Sequence, residues 1–421
     1  MTIALRLLEA YVKCPTKCWL MSRREPITDS GYAQWVQAQH EAYLASGVQR
    51  LLSETNHADC IVSPSADNLK AGTWRLATNV LARAQRLESY VHAVERVPLE
   101  GRGERARYSP VRFVPYNRLG KDAKLLLAFD ALALTEVLGE KVSFGRIIHG
   151  DDYTMLKVRI PAQAGEVQKN LEEMTTLLSS PSPPDLFLIR HCSECQFQAR
   201  CRQIAIEKDD LSLLAKVTER ERRKQHDRGI FTVTQLSYTF RPRKRSAPEV
   251  TKHQHALKAL AIRKKQIHIL GTPALSAAGT PVYLDVEGDP DRDFYYLIGL
   301  RTKSAGSPVH YSFWANDPSE EQDMWADCLH RLSAIDNPRL IHYGSYETQF
   351  LKRMRTRYPN IGNPVFLDQL TKSAMNLLSP IYAHVYFPTY SNSLKEVARY
   401  LGFDWCDSTS SGWTTRIWRS Q

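Results

Sequence analysis

The first half of the chain alternates the apolar spacing of helices with short extended runs. Helical spacing is found over Thr2–Leu20, Tyr32–Leu52, Thr73–Glu88 and Ala123–Leu138, and again from about 161 to 178. Extended runs are found over Tyr90–Val97, Tyr108–Val114, Phe144–His149 and Tyr153–Ile160. The two patterns together predict an α/β domain over residues 1–205.

Residues 206–275 are basic and predicted to be mostly helical. Thr218 and Glu221 have the spacing of a capping box, and Thr232 stands three residues after Gly229. A helix, a glycine-containing hairpin and a second helix predict a helix-hairpin-helix, whose backbone amides face phosphates. We expect Gly229 and the basic run that follows to contact nucleic acid, although such a run is also typical of a solvated linker. The run contains Arg241, Arg243, Lys244 and Arg245.

Residues 276–421 begin with strands and continue with alternating helices and strands. Extended runs are found over Pro281–Pro290, Phe294–Leu300, Val309–Trp314 and Arg339–Gly344. Helical patterns are found over Pro318–Ala334 and Tyr346–Tyr358. This succession predicts a mixed sheet with helices packed against it.

The overall charge narrows the class of partner. The 421 residues carry 56 Lys and Arg against 45 Asp and Glu, a net charge of +11. This balance favours a polyanion, with nucleic acid first and a membrane surface second. No apolar run approaches the length of a membrane span, and the N-terminal segment lacks a signal-peptide pattern. We therefore expect a cytoplasmic protein that acts without a membrane.

Two carboxylates share one face of the first strand in the last domain. Asp285 and Glu287 are two residues apart, and Glu347 begins a helix directly after a later strand. Acids on one strand face repel each other unless a divalent cation neutralises them. Mg²⁺ or Mn²⁺ held by these three carboxylates would suit phosphodiester hydrolysis. The alternative is a solvated strand face.

Four cysteines form the second candidate metal site. Cys192, Cys195 and Cys201 fall within ten residues, in a polar and basic stretch, and Cys14 precedes a proline near the start of the chain. Thiols so closely spaced in an intracellular protein indicate a metal centre rather than disulfides. The centre is predicted to be an iron–sulfur cluster, with zinc as the alternative. Cys18 competes with Cys14 as the fourth ligand.

The last domain resembles the DEDD exonucleases of the ribonuclease H-like superfamily, in particular the YprB-type domain. The resemblance is carried by Asp285-x-Glu287, by Tyr343–Glu347 in place of an Asn-x-x-Phe-Asp motif, and by Phe387–Trp405. It implies a nuclease of the 3′–5′ exonuclease type, with Asp285, Glu287 and Glu347 as catalytic metal ligands. The final Asp motif of the family would follow Arg419, and the sequence ends at Gln421. We therefore expect weak or no cleavage by residues 1–421.

The first domain resembles the RecB-like iron–sulfur nucleases, a PD-(D/E)XK branch that includes CRISPR-associated exonucleases. The cysteine pattern carries this resemblance, and it implies a four-iron cluster. The nuclease core departs from the family, since only Glu95 stands at an acidic position and Arg112 lies where Glu-x-Lys is expected. The Gln-x-x-x-Tyr helix motif of the family appears here as Leu126 and Asp130. The resemblance therefore implies an inactive DNA-binding domain, DNA rather than RNA as the partner, and a helicase as a possible associate.

Three functions compete on these residues. The first is a metal-dependent nuclease acting through Asp285, Glu287 and Glu347. The second is a non-catalytic nucleic-acid-binding protein with a structural cluster. The third is a zinc scaffold without nucleic acid.

Overall fold

The computed structural model describes residues 2–27, 31–71, 73–97, 107–241, 254–273, 275, 278–290, 292–304 and 306–405. Contacts between residues divide the chain into two compact units, Met1–Cys201 and Arg202–Gln421. The domain boundaries expected near residues 205 and 275 stay predictions. Within the described residues, no helix is both long and apolar enough to cross a membrane.

The first unit is a sheet with helices packed against it. Its strands run in the order β2-β3-β4-β5-β6-β7, and β1 pairs with β4. The elements are β1 (Ile3–Ala4), α1 (Leu5–Lys13), α2 (Pro15–Ser22), α3 (Gly31–Glu54), β2 (Cys60–Val62), α4 (Ala66–Ala71), β3 (Leu76–Arg83), β4 (Leu87–Val97), β5 (Arg107–Val114), α5 (Lys121–Leu138), β6 (Phe144–His149), β7 (Thr154–Arg159), α6 (Pro161–Ser179) and α7 (Gln198–Glu207), the last crossing the boundary between the units.

The helix predicted over Thr73–Glu88 is wrong. This stretch forms β3 and the first residues of β4, which pair antiparallel with Arg83 opposite Glu88. Leu76, Ala77 and Thr78 are all buried in succession. A strand that is covered on both faces loses the strict alternation of apolar and polar residues, so its pattern is easily confused with that of a helix.

Helix α5 is the central helix of the first unit. It presents buried side chains on all sides, including Leu127, Phe129 and Leu134, and it ends at Gly139 with a left-handed φ of 70°. A glycine at that position is the expected helix terminator. Asp130 is also fully buried on this helix, so it requires a partner.

The second unit contains a mixed five-stranded sheet, as expected. Its order is β11-β10-β9-β12-β13, with β9, β10 and β11 antiparallel and β12 parallel to both β9 and β13. The elements are α8 (Glu219–His226), α9 (Val233–Ser237), α10 (His255–Lys264), β8 (His268–Ile269), β9 (Thr280–Asp289), β10 (Phe294–Ser304), β11 (Ser307–Trp314), α11 (Glu321–Ser333), β12 (Pro338–His342), α12 (Tyr346–Arg357), α13 (Pro364–Ser373), β13 (Met375–Asn376), α14 (Leu378–His384), β14 (Val385–Tyr386) and α15 (Leu394–Tyr400).

Candidate active site and cysteine site

Strand β9 separates its apolar and acidic residues onto opposite faces. Val282, Leu284 and Val286 are buried in the core of the second unit. The intervening positions 285 and 287 therefore lie on the other face, since side chains alternate along a strand. Asp285 and Glu287 consequently stand side by side at the centre of the sheet.

Helix α12 brings the third carboxylate to this face. Strand β12 runs parallel to β9 at its side, and the turn after β12 leads directly into α12. Glu347, in the first turn of that helix, is only 6% exposed. Its charge acts on both Asp285 and Glu287, so the three carboxylates form one group.

The shared negative charge changes the acidity of the strand carboxylates. Burial, and then the charge of Glu347, raises the pKa of Asp285 above its ordinary value. Burial, and then the charges of Asp285 and Glu347, raises the pKa of Glu287 from 4.5 to about 6. The ammonium of Lys395 acts in the opposite direction on Glu287. Carboxylates that resist ionisation in this way are ready to be neutralised by a cation.

Glu347 has a buried oxygen that lacks a hydrogen-bond partner. Its Oε2 lies 3.5 Å from Nδ1 of His342, and neither atom forms a hydrogen bond within the described part of the chain. The other nitrogen of His342 lies 3.3 Å from the hydroxyl of Thr348. An orphaned buried carboxylate oxygen is costly, and as they stand no three acids of the described residues, these three included, are placed to hold a metal ion.

Two residues that the sequence analysis did not select lie beside these carboxylates. The pKa of Tyr346 is raised by burial and, among other groups, by Glu287, so the phenol stays protonated at neutral pH. A Cβ at Gly288 would lie 2.6 Å from the Tyr346 hydroxyl, which shows how closely that hydroxyl approaches β9. Lys395, on α15, is the basic group that acts on Glu287. Tyr346 occupies the position at which the family that this domain resembles carries Phe. This difference is the only feature of the sequence that points to Tyr346.

Other acids of the second unit have different partners. Asp368 forms an exposed ion pair with Arg355. Asp293 pairs with Arg353 at 3.1 Å and with Arg357 at 2.7 Å. These contacts are sufficient to account for both residues as structural acids.

The cysteine site lies wholly within the first unit. Cys14, Cys192, Cys195 and Cys201 line one small cavity of about 10 Å³, together with Lys17 and His191. Cys14 precedes α2, Cys192 lies in a short 3₁₀ turn over Arg190–Glu194, and Cys201 lies on α7. The competing residue Cys18 is fully buried among the apolar residues of the main core. The four predicted thiols therefore line one cavity, whereas Cys18 lies in the main core, where burial and then the charge of the nearby Cys14 thiol raise its pKa.

Backbone amides act on the thiols of Cys192 and Cys195, and the charge of Lys17 also acts on Cys195. The Ile189 amide donates to the Cys192 sulfur at 3.3 Å, and the Phe197 amide donates to Cys195. Burial, and then the charges of the neighbouring thiols, raise the pKa of Cys201 to about 11. As they stand, no three Cys, His, Asp or Glu side chains of the described residues are close enough to hold a metal. The cavity has room for about one water-sized sphere, so the thiols are not spaced around a metal centre as they stand.

In the first unit, the positions that resemble a nuclease core are neutralised within the protein. Glu95 pairs with Arg146. Arg112 donates from Nε and Nη2 to Asp130 at 2.7–3.0 Å, and Ser89 donates to the same carboxylate at 2.5 Å. A carboxylate that is saturated by a bidentate arginine has little capacity left for Mg²⁺.

The predicted nucleic-acid contacts are only partly covered by the described residues. Gly229 has a left-handed φ of 76° between α8 and α9. Thr218 and Thr232 both form capping boxes, at Glu221 and Gln235. Arg241 is exposed and donates to the carbonyl oxygens of Tyr238 and Phe240. The remaining residues of the basic run, Arg243, Lys244 and Arg245, lie outside the described residues.

The comparisons with known proteins bear on the second unit. Residues 282–421 match the family model of the RNase H superfamily. The match begins on β9 and spans the whole mixed sheet, and it includes all three carboxylates. No curated protein matches the chain. The match indicates a nuclease-like function with a nucleic-acid substrate for this part of the chain.

Proposed function

We propose that the second unit is a metal-dependent nuclease whose site is formed by Asp285, Glu287 and Glu347. The observation that carries this proposal is the orphaned oxygen of Glu347 beside two carboxylates of raised pKa. Burial and neighbouring charge make ionisation of Asp285 and Glu287 unfavourable. A divalent cation bound to the group would offset this unfavourable free energy. The match to the RNase H superfamily supports the same conclusion.

Each of the three carboxylates has a separate support in the fold. Asp285 and Glu287 are fixed by the central strand of the sheet, whose opposite face is buried. Glu347 is fixed by α12 and by its contact with His342. When bound there, Mg²⁺ or Mn²⁺ stabilises the charge that develops during phosphodiester hydrolysis and lowers the pKa of a bound water. The protonated hydroxyl of Tyr346 and the positive charge of Lys395 both interact with Glu287 in this group.

The proposal is tested by cleavage of labelled single-stranded DNA and RNA with Mg²⁺ or Mn²⁺. We expect Asp285→Asn to abolish any cleavage, because it removes a ligand from the centre of the group. We expect Glu95→Gln to leave cleavage unchanged, because Glu95 is paired with Arg146 in the first unit. Cleavage that survives Asp285→Asn and is lost in Glu95→Gln would move the active site to the first unit.

We also propose that Cys14, Cys192, Cys195 and Cys201 hold an iron–sulfur cluster that stabilises the first unit. The support is the convergence of four sulfurs on one cavity, although three come from the end of the unit and one from its start. Four thiolates are the usual ligand set of iron–sulfur clusters and also of structural zinc. Burial raises the pKa of Cys192 and Cys195, and the amides that donate to their sulfurs act against that shift.

Anaerobic purification followed by metal analysis decides the nature of this centre. The proposal predicts a brown protein with iron and sulfide, and Cys195→Ala is expected to lose both. A colourless protein with stoichiometric zinc identifies the alternative centre. A protein without bound metal, equally stable with and without Cys195, contradicts both.

The finer assignments of substrate and location rest on charge and on the family resemblances. We propose DNA rather than RNA as the partner, a helicase as an associated activity, and the cytoplasm as the location. The excess of 11 positive charges supports a polyanionic partner. Parallel cleavage assays on DNA and RNA of one sequence test the first of these proposals.

A further inference from the structure

A cavity of about 650 Å³ in the first unit has no role in the proposed nuclease site. It is lined by parts of α1, α3, β4, β5 and the segment that leads into α5. This volume is within the range of small-molecule sites, which hold a few convergent polar groups in an otherwise apolar wall. The side chains that converge on the cavity determine which ligand it can bind.

Three hydrogen-bonding side chains form the polar wall of this cavity. His92 and Arg112 lie on adjacent strands, each one position beyond the paired residues Ala93 and Val111. His40 approaches from α3, and its Nε2 lies 2.9 Å from the Tyr116 hydroxyl. Burial lowers the pKa of both histidines, and the charge of Arg112, which is paired with Asp130, acts in the same direction.

The wall presents hydrogen-bond donors. The Phe113 amide donates to Nδ1 of His92 at 3.0 Å, so a neutral His92 carries its proton on Nε2. The bonds from Arg112 to Asp130 use Nε and Nη2, and Nη1 takes part in none of them. Asp130 therefore fixes the guanidinium, and one edge of it remains for a ligand that accepts hydrogen bonds.

The acids that line the same cavity are largely engaged by other groups. Glu9 pairs with Lys13 at 3.8 Å, Glu41 accepts from Gln37 at 2.7 Å, and Glu88 pairs with Arg83 at 2.7 Å. The fourth, Asp122, lies in the first turn of α5, where the helix dipole favours its charge. Three of the four acids therefore already have a cation or an amide donor as a partner.

We propose that this cavity binds the phosphate monoester of a nucleotide, either free or at the end of a nucleic-acid strand. The Arg112 guanidinium, which is fixed by Asp130, is well suited to a phosphate, and Nε2 of His92 adds a hydrogen-bond donor. The remaining volume, beside the aromatic rings of Tyr90 and Tyr116, accommodates the sugar and base. The inference concerns the first unit and does not depend on the carboxylate site of the second.

The test measures binding of the full chain without added divalent cations. The probes are a short single-stranded oligonucleotide with a terminal phosphate, the same strand with terminal hydroxyls, AMP and inorganic phosphate. We expect the phosphorylated strand or AMP to bind about tenfold or more tightly than the hydroxyl strand. Competition by AMP at equal concentration indicates a free nucleotide as the ligand, and preference for the strand indicates a strand end.

The decisive variant is Arg112→Met/Asp130→Leu, which removes both partners of the buried pair and leaves no unpaired charge. Its matched control is Arg222→Met/Asp210→Leu, which removes a buried Arg–Asp pair of the same 2.7 Å contact in the second unit. We expect about a tenfold loss of phosphate-dependent affinity in the first variant only. His92→Phe, which keeps a flat ring and removes the Nε2 donor, gives a second measurement if the double variant melts early. Equal affinity for phosphorylated and hydroxyl strands with no competition by AMP or phosphate, or an equal loss in both double variants, overturns the proposal.

Discussion

Replacing Asp285 with Asn is expected to stabilise the metal-free second unit while removing its response to metal. The pKa of Glu287 is raised from 4.5 to about 6 by burial and then by Asp285 and Glu347. A shift of about 1.5 units corresponds to about 2 kcal/mol. Solvent contact reduces this to about 1 kcal/mol, and Asp285 accounts for a part of it. We therefore expect Asp285→Asn to raise the free energy of unfolding near neutral pH by about 0.5 kcal/mol or less.

The sign follows from proton linkage. The folded state holds its proton on Glu287 more tightly than the unfolded state does, so stability falls as pH rises from about 4.5 to about 6 and then levels off. Asp285→Asn should flatten this dependence. In the wild-type protein, Mg²⁺ at ten times its Kd adds about 1.4 kcal/mol of stability, and this gain should be absent from the variant.

Native-state hydrogen exchange of β9 measures both effects locally, which matters because two units need not unfold together. The matched control is Asp368→Asn, which removes a carboxylate from an exposed ion pair with Arg355 and should give no stabilisation. A destabilised Asp285→Asn protein that still responds to Mg²⁺ as the wild type does would refute the reasoning.

Three further outcomes are expected. Gly288→Ala should lower stability by about 1–3 kcal/mol in thermal or chemical unfolding, because the new Cβ would lie 2.7 Å from a backbone oxygen; an unchanged midpoint would contradict the close approach. Cys195→Ala should release the metal and lower the melting temperature of the first unit, whereas Cys328→Ala, buried in the other unit, should leave metal content unchanged. Reversing charge at Arg243 and Lys244 should reduce the salt dependence of oligonucleotide binding, measured as the slope of log K against log salt, and an unchanged slope would exclude these residues from the contact.

The sequence was most informative where side chains alternate with a period of two. The pattern around Asp285 and Glu287 predicts a strand, and the burial of β9 follows that alternation. The same reasoning failed over Thr73–Glu88, because pairing between β3 and β4 determines the structure there and Leu76, Ala77 and Thr78 are buried in succession. Local patterns do not contain that tertiary information.

The sequence alone does not predict contacts that tertiary packing creates between residues on different elements. The contact of His342 with Glu347 depends on the turn between β12 and α12. The pairing of Arg112 with Asp130 joins a strand to a helix, so an arginine that departs from a nuclease motif could be noted but its partner could not. The choice between Cys14 and Cys18 also depends on tertiary packing, because Cys14 lines the cavity and Cys18 is buried in the main core.

Binding of Mn²⁺ to the second unit tests the central claim most directly. Titration of the full chain with Mn²⁺, followed by the magnetic resonance signal of the free ion, should reveal a site that is weakened about tenfold or more in both Asp285→Asn and Glu347→Gln. Glu95→Gln should bind as the wild type does, because its carboxylate is paired with Arg146. Identical titration curves for the wild type, Asp285→Asn and Glu347→Gln would contradict the assignment of these carboxylates as the metal site.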